Sequence, residues 1–158
     1  MIYQEDITLK LLSCVGFRRI LSIDKQPPIQ AVIDANLVPT FIHLLHHEIP
    51  KFQFEAAWCL TNIASGTSDH VNCLIDKDVL THFIQMLSSN HIEVVEQVIW
   101  GIGNIAGDSA HTRDVVLRSG ALSKISMILD KAVPETSFMR NASWCLSNLC
   151  RGKPQPNY

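Results

Sequence analysis

No run of eighteen apolar residues occurs in the 158-residue chain, so a membrane-spanning helix is not expected. Charge of one sign is also lacking. Thirteen Lys and Arg against fifteen Asp and Glu leave a net charge of −2, and without a basic excess there is no general affinity for a phosphate backbone. The opening MIYQEDITLK has neither the basic stretch nor the apolar stretch of a signal peptide. None of the five cysteines (Cys14, Cys59, Cys73, Cys145, Cys150) forms a CxxC pair. Each sits in an apolar helical pattern, which predicts buried free thiols in a reducing compartment. Glycine-rich phosphate loops are missing, as is any Ser/His/Asp or Cys/His arrangement of motif strength, so neither an enzyme nor a cofactor is expected. Strand-period alternation and hairpin signals are absent too, which leaves a helical chain. Hydrophobic residues at 47% and charged ones at 18% are those of a folded globular chain.

What is present is a repeat. "EAAWCLTNIASG" at residues 55–66 places Trp58 and Asn62 one helical turn apart. The pair returns as Trp100 and Asn104 in "EQVIWGIGNIAGD", and as Trp144 and Asn148 in "RNASWCLSNLCRG", at intervals of 42 and 44 residues. A second pattern precedes each copy at steps of 42: "AVIDANLVPTFIHLLHH", "CLIDKDVLTHFIQMLSS" and "VVLRSGALSKISMILDK". Two independent signals with one period define a repeat architecture.

Each unit divides into three helical pieces. A short first piece (about 28–35, 69–77 and 111–119) ends at Asn36, Asp78 and Gly120, residue types that tolerate the left-handed conformation closing a helix. A second piece follows (about 38–47, 80–89 and 121–130). A longer third piece carries the Trp and Asn, with Pro50 and Pro134 near its start in two copies. Ahead of the first full unit, "LLSCVGFRRILSIDKQPP" reads as another third helix, with Val15 and Arg19 where the Trp and Asn would stand. Three helices per unit of about 42 residues is the armadillo pattern. The expectation is therefore an all-α fold, a right-handed armadillo solenoid of about three and a half repeats forming one domain over residues 1–158. Its partial repeat covers about 7–25, and the full ones about 26–66, 67–108 and 109–152.

Positions −3, 0, +4 and +8 around each Trp share one side of the third helix. They hold Glu55, Trp58, Asn62 and Gly66; then Gln97, Trp100, Asn104 and Asp108; then Asn141, Trp144, Asn148 and Gly152, with small Ser65 and Gly107 at +7. In a stacked array these helices line the inner surface, about 8–10 Å apart. An extended chain rises about 3.3 Å per residue, so one repeat spans two to three residues of such a chain. An asparagine amide offers donors and an acceptor to any peptide backbone. Paired indoles form slots for the aliphatic stem of Lys or Arg, with the cation over a ring. Asp108 supplies a carboxylate for one ammonium group. Such a stripe suits an extended, lysine-rich peptide. A single Trp could be core and a single Asn could bridge repeats, but three copies on one face favour binding.

At these residues the chain resembles the importin α family of nuclear import adaptors. "FQFEAAWCLTNIASGTS", "EQVIWGIGNIAGD" and "RNASWCLSNLCR" look like the family's second to fourth armadillo repeats, and "ILSIDKQPPI" like the end of its first. The resemblance implies a non-catalytic adaptor of cytoplasm and nucleus. It would bind nuclear localisation signals of cargo proteins through Trp58, Asn62, Ser65, Gly66, Gln97, Trp100, Asn104, Gly107, Asp108, Asn141, Trp144 and Asn148. In the family, a backbone carbonyl, a threonine hydroxyl and an aspartate hold the most demanding lysine. Gly66 and Asp108 match, whereas Val71 stands at the threonine position, so one hydrogen bond is expected to be lost. Importin β is implied as a partner only if a basic segment precedes this chain. Apolar surface at the ends of the array would invite self-association.

Other readings are weaker. His43, His46 and His47 have helical spacing for a metal site, but nothing equivalent recurs in the other repeats, and solvated histidines are expected instead. The sequon Asn141-Ala142-Ser143 falls in mid-helix. A helical-repeat RNA reader would interleave basic residues with its stacking side chains, whereas this stripe carries Glu55, Glu96 and Asp108. An armadillo scaffold for a different protein partner is the principal alternative.

Overall fold

The computed structural model describes residues 7–130 and 137–156. Among these residues it is entirely helical, and the helices fall into the expected triplets. The partial repeat supplies α1 (Ile7–Leu21). The first full repeat gives α2 (Ile29–Asp34), α3 (Val38–Leu45) and α4 (Pro50–Ala64). The next gives α5 (Ser68–Asp76), α6 (Val79–Met86) and α7 (Ile92–Asp108), and the last α8 (Ala110–Arg118), α9 (Ala121–Leu129) and α10 (Ser137–Cys150). This is the armadillo solenoid read from the period. Pro134, placed by the sequence near the start of the last third helix, lies outside the described residues.

The turn chemistry holds at all three copies. Asn36, Asp78 and Gly120 have φ of 53°, 58° and 81°, where the side chains of Asn and Asp and the bare backbone of Gly meet least resistance. Pro50 opens α4, where its missing N–H leaves no helical bond unmade. Ser109 caps α8 by accepting from the Thr112 amide at 3.2 Å, and the Thr112 hydroxyl accepts from the Ser109 amide at 3.1 Å.

The third helices form the spine: α1 packs on α4, α4 on α7, and α7 on α10. The helix α7 is buried on most of its surface, with Val94, Val98, Ile99, Ile102 and Ile105 fully enclosed. Close approach to it needs an absent side chain. A Cβ at Gly101 would collide with the Phe83 ring of α6 and lie 2.8 Å from the Thr61 hydroxyl of α4. Each fully buried Leu, Ile, Val or Phe here contributes about 1.5–3 kcal/mol of transfer free energy. Cys14, Cys59 and Cys145 are buried free thiols as expected, and burial pushes the Cys145 thiol up to about 12. Cys150 corrects that expectation: it is the last residue of α10 and is exposed, while Cys73 is half-buried.

His43 and His46 are exposed, as expected, and His47 is half-buried. His46, just after α3, and His82 of α6 meet through Nε2 and Nδ1 at 2.8 Å across neighbouring repeats. Partial desolvation, then the neighbouring His82 and His43, hold His46 below its ordinary value. His47 instead accepts from the Ile49 amide at 3.0 Å and packs on Phe52. Among the described residues no group of three or more His, Cys, Asp or Glu side chains could hold a metal ion.

Two outcomes follow from this packing. Phe83→Ala should cost about 3–5 kcal/mol of unfolding free energy in denaturant titration, because its ring fills the space above Gly101. His46 binds its proton less readily in the fold than in the unfolded chain. Stability is therefore full above the unfolded value of 6.5 and declines as pH falls through it. Melting temperature should drop between about pH 7.5 and pH 5.5, and His82→Gln should shrink that drop.

Candidate functional site

The polar stripe is assembled on one face of α4, α7 and α10. A depression of about 240 Å³ runs between them, lined by Ala64, Ser65, Gly66, Gly103, Asn104, Gly107, Asp108, Trp144, Asn148 and Arg151. It joins seven of the twelve residues singled out from the sequence with three that were not. A hollow of about 330 Å³ lies against Gln53, Gln85 and His91, and two still larger ones, of about 660 and 600 Å³, lie against Ile92 and Met127 and against α1 and α3. The walls of the latter two are largely apolar, and none of the three holds a repeated Trp–Asn pair.

Two of the three indoles stand open. Trp100 and Trp144 are 42% and 41% exposed, which for the largest side chain leaves an accessible ring face. Trp144 lies directly on Gly103 of α7: a Cβ there would fall 2.5 Å from the indole. The bare helix backbone at Gly103 thus sets how closely the last rung approaches the middle one. Gly107 does the same for Asn148, whose amide nitrogen would be 2.8 Å from an added Cβ.

The asparagines are committed more than their sequence positions imply. Asn104 donates from Nδ2 to the Thr61 carbonyl of α4 at 3.1 Å, and Asn148 from Nδ2 to the Gly103 carbonyl of α7 at 2.9 Å. Both acceptors stand just before the equivalent asparagine of the preceding repeat. Asn62 reaches the corresponding carbonyl through a relay: Nδ2 donates to the Ser22 hydroxyl at 2.8 Å, which donates to the Arg18 carbonyl at 2.7 Å. The ladder therefore ties successive third helices together. Each amide keeps one further N–H and its oxygen, and Asn148 Oδ1 is buried with no partner.

Positions three residues before each Trp are less open than expected. Gln97 is buried, with its amide nitrogen unpartnered, and Asn141 donates to Glu96 at 2.9 Å. Glu55 is buried, accepts a hydrogen bond from Arg18 of α1 at 2.5 Å and forms an ion pair with Lys51 at 2.9 Å. Arg18 in turn lies over the Trp58 ring, 4.7 Å from its centroid, and Phe54 meets the same indole edge-on. Val71 is buried in the core, so its side chain does not front the depression. A hydroxyl is nevertheless present: Ser68, at the start of α5, donates to Asp108 Oδ1 at 2.7 Å.

Arg151 was missed, although it occupies the +7 position where Ser65 and Gly107 are small. Its carbonyl accepts from Arg113 Nη1 of α8 at 2.9 Å. Arg113 is fully buried and paired with Asp114 at 2.8 Å. The register held the signal, since Ile29, Val71 and Arg113 are successive equivalents and only the last is charged.

The class is that of the armadillo-repeat proteins. An armadillo/beta-catenin-like repeat matches residues 25–65 and a HEAT-like repeat residues 50–105. A designed armadillo repeat protein in complex with the peptide (KR)4 superposes with a TM-score of 0.82 at 27% identity, covering 92% of this chain and 60% of that one. Computationally designed armadillo repeat proteins for modular peptide recognition share the fold, with a TM-score of 0.84 at 23% identity over 94% of this chain and 61% of theirs.

Within that class the chain is similar to the importin α subunits. It is 47% identical to importin subunit alpha-2 of Arabidopsis thaliana and 46% to importin subunit alpha-1b of Oryza sativa subsp. japonica, each over 99% of this chain. Identity to the probable importin subunit alpha-A of Dictyostelium discoideum is 40% over 92% of this chain. The chain spans 29% of the length of these relatives.

The committed amides give a direct test. Asn148→Ala removes the donor to a buried carbonyl and should lower stability by about 1–2 kcal/mol with no ligand present. Asn62→Ala breaks only an exposed bond to a hydroxyl and should cost under about 0.5 kcal/mol in the same chemical denaturation.

Proposed function

We propose that this chain is a nuclear import adaptor module. It binds extended Lys/Arg-rich localisation signals of cargo proteins along α4, α7 and α10, and does so without catalysis, in cytoplasm and nucleus. The observation that carries the reading is the convergence of Trp144, Asn104, Asn148 and Asp108 on one depression, with open indole faces on successive helices. The similarity to importin α subunits supports it.

In this reading the peptide lies extended across the third helices. Its backbone meets the N–H and oxygen that half-buried Asn62 and Asn104 have left after bridging to the preceding repeat, while buried Asn148 serves the bridge. Lysine stems lie on Trp100 and Trp144, where a cation over a ring adds about 0.5–2 kcal/mol as desolvation increases. Asp108 holds one ammonium group. Ser68 already donates to Oδ1 of that carboxylate, which fixes its orientation and leaves Oδ2 for the ligand. Ser68 thereby supplies the hydroxyl that Val71 lacks. Importin β enters as a partner only through a basic segment preceding this sequence.

A Lys-rich localisation peptide should quench or shift tryptophan fluorescence, with affinity falling as salt rises. Asp108→Lys should weaken binding by at least about tenfold, through loss of the carboxylate and repulsion of the ligand cation. A signal unchanged by the peptide, or equal affinity in the Asp108 variant, would sink the groove reading.

A further inference from the structure

The charge along the groove changes sign. On α7 the side chains beside the stripe are Glu96 and Asp108. Past them Arg151 stands in the depression just after α10. At the opposite end Arg18 and Arg19 of α1 and Lys51 of α4 surround the single carboxylate of Glu55. Arg19 is exposed and stands on α1 where the other third helices place their asparagine. Glu55 is buried and bonded to both Arg18 and Lys51, so two cations share one anion. Counting the turn after α1 as well, Asp24 and Lys25 cancel and the end stays positive. The Trp58 ring is also occupied. The Arg18 guanidinium lies 4.7 Å from its centroid, held there by Glu55 at 2.5 Å. The helix α1 packs on α4, and Arg18 covers the ring from α1.

We infer that Arg18 ends the lysine-binding ladder at Trp58, and that the surface beyond it on α1 is an anion subsite for a carboxylate-bearing flank of the bound peptide. This rests on the peptide-groove reading. A ligand cation arriving at the α1 side of Trp58 would have to displace a guanidinium already bonded to a buried carboxylate. It would also leave that guanidinium beside it, a like-charge pair. An Asp or Glu side chain at the same place meets Arg19 and the unshared charge of Arg18 and Lys51. The preferred ligand is thus polarised, with Lys and Arg around Trp100 and Asp108 of α7 and acidic residues over α1. One groove reads both a basic core and the sign of what adjoins it.

The test uses one Lys-rich core peptide with an Ala-Ala flank, an Asp-Asp flank or a Lys-Lys flank, each placed at either terminus. Binding is followed by calorimetry to the full chain and to Arg18→Gln and Lys51→Gln, with circular dichroism confirming the fold. At one terminus the Asp-Asp flank should tighten binding about two- to fivefold over Ala-Ala, the scale of an exposed ion pair. That gain should shrink in both variants. Arg18→Gln should also improve the Lys-Lys peptide by uncovering the indole, which damage to the fold would not do. An Ala-Ala peptide that binds while Asp-Asp brings no gain at either end overturns this inference and leaves the groove intact. A gain undiminished in both variants overturns it equally. Failure of the Ala-Ala peptide to bind the unaltered chain overturns the groove reading itself.

Discussion

Everything in this array depends on how closely α7 is held between its two neighbours. A helix normally keeps a neighbour 8–10 Å away through its side chains. Here Gly101 admits the Phe83 ring and the Thr61 hydroxyl on one side, while Gly103 and Gly107 admit Trp144 and Asn148 on the other. Once backbones are that near, an asparagine on one third helix can reach a carbonyl of the next. Helical carbonyls are normally spent on their own helix, but each retains a second lone pair. Asn104 and Asn148 take those lone pairs at Thr61 and Gly103. Packing distance and polar bridging are therefore one constraint expressed twice, and it fixes the spacing of the indoles above.

That constraint changes what the asparagine row means. Bridging neighbouring repeats and binding a peptide looked like competing uses of the same side chain, yet an amide has enough groups for both. The bridge consumes one N–H, and the oxygen and second N–H remain. Bridging also holds the amide plane in a set orientation, so a ligand would meet a group that has already lost its rotational freedom. Asn62 and Asn104 are half-buried and keep that capacity within reach of the surface, whereas Asn148 is buried. Asn62 is the exception that defines the end of the row. Its relay through Ser22 is exposed, because α1 offers Arg18 where the later helices offer Thr61 and Gly103.

The features legible in sequence are those that recur with the period. Asn36, Asp78 and Gly120 announced their left-handed turns because each repeats at one step, and Pro50 announced a helix start through its own chemistry. The Trp–Asn stripe was legible for the same reason. What escaped notice are contacts between repeats that occur once. Arg18 to Glu55 spans 37 residues, His46 to His82 spans 36, and Ser68 to Asp108 spans 40. No periodicity marks such pairs, since each departs from the repeat at both of its ends. Glu55 illustrates the limit: its helical phase put it beside Trp58, but only the α1 neighbour turned it from a groove residue into a buried anchor. Val71 illustrates another, for a resemblance fixed its register while its packing put it in the core.

Single-copy departures are also where the repeats acquire individual roles, and Arg113 shows how. At its register position Ile29 and Val71 are plain core residues, buried like their neighbours. A charged side chain there carries a desolvation cost that unpaired burial could not sustain. Asp114 supplies the counter-charge and the Arg151 carbonyl accepts a further N–H, so the guanidinium is neutralised while it grips the chain just after α10. That grip holds in place the segment from which Arg151 enters the depression. Isoleucine or valine would give a plain apolar core contact without holding the next residue of the site. Burying a charge at this one copy exchanges a simple core contact for control over the far end of the groove.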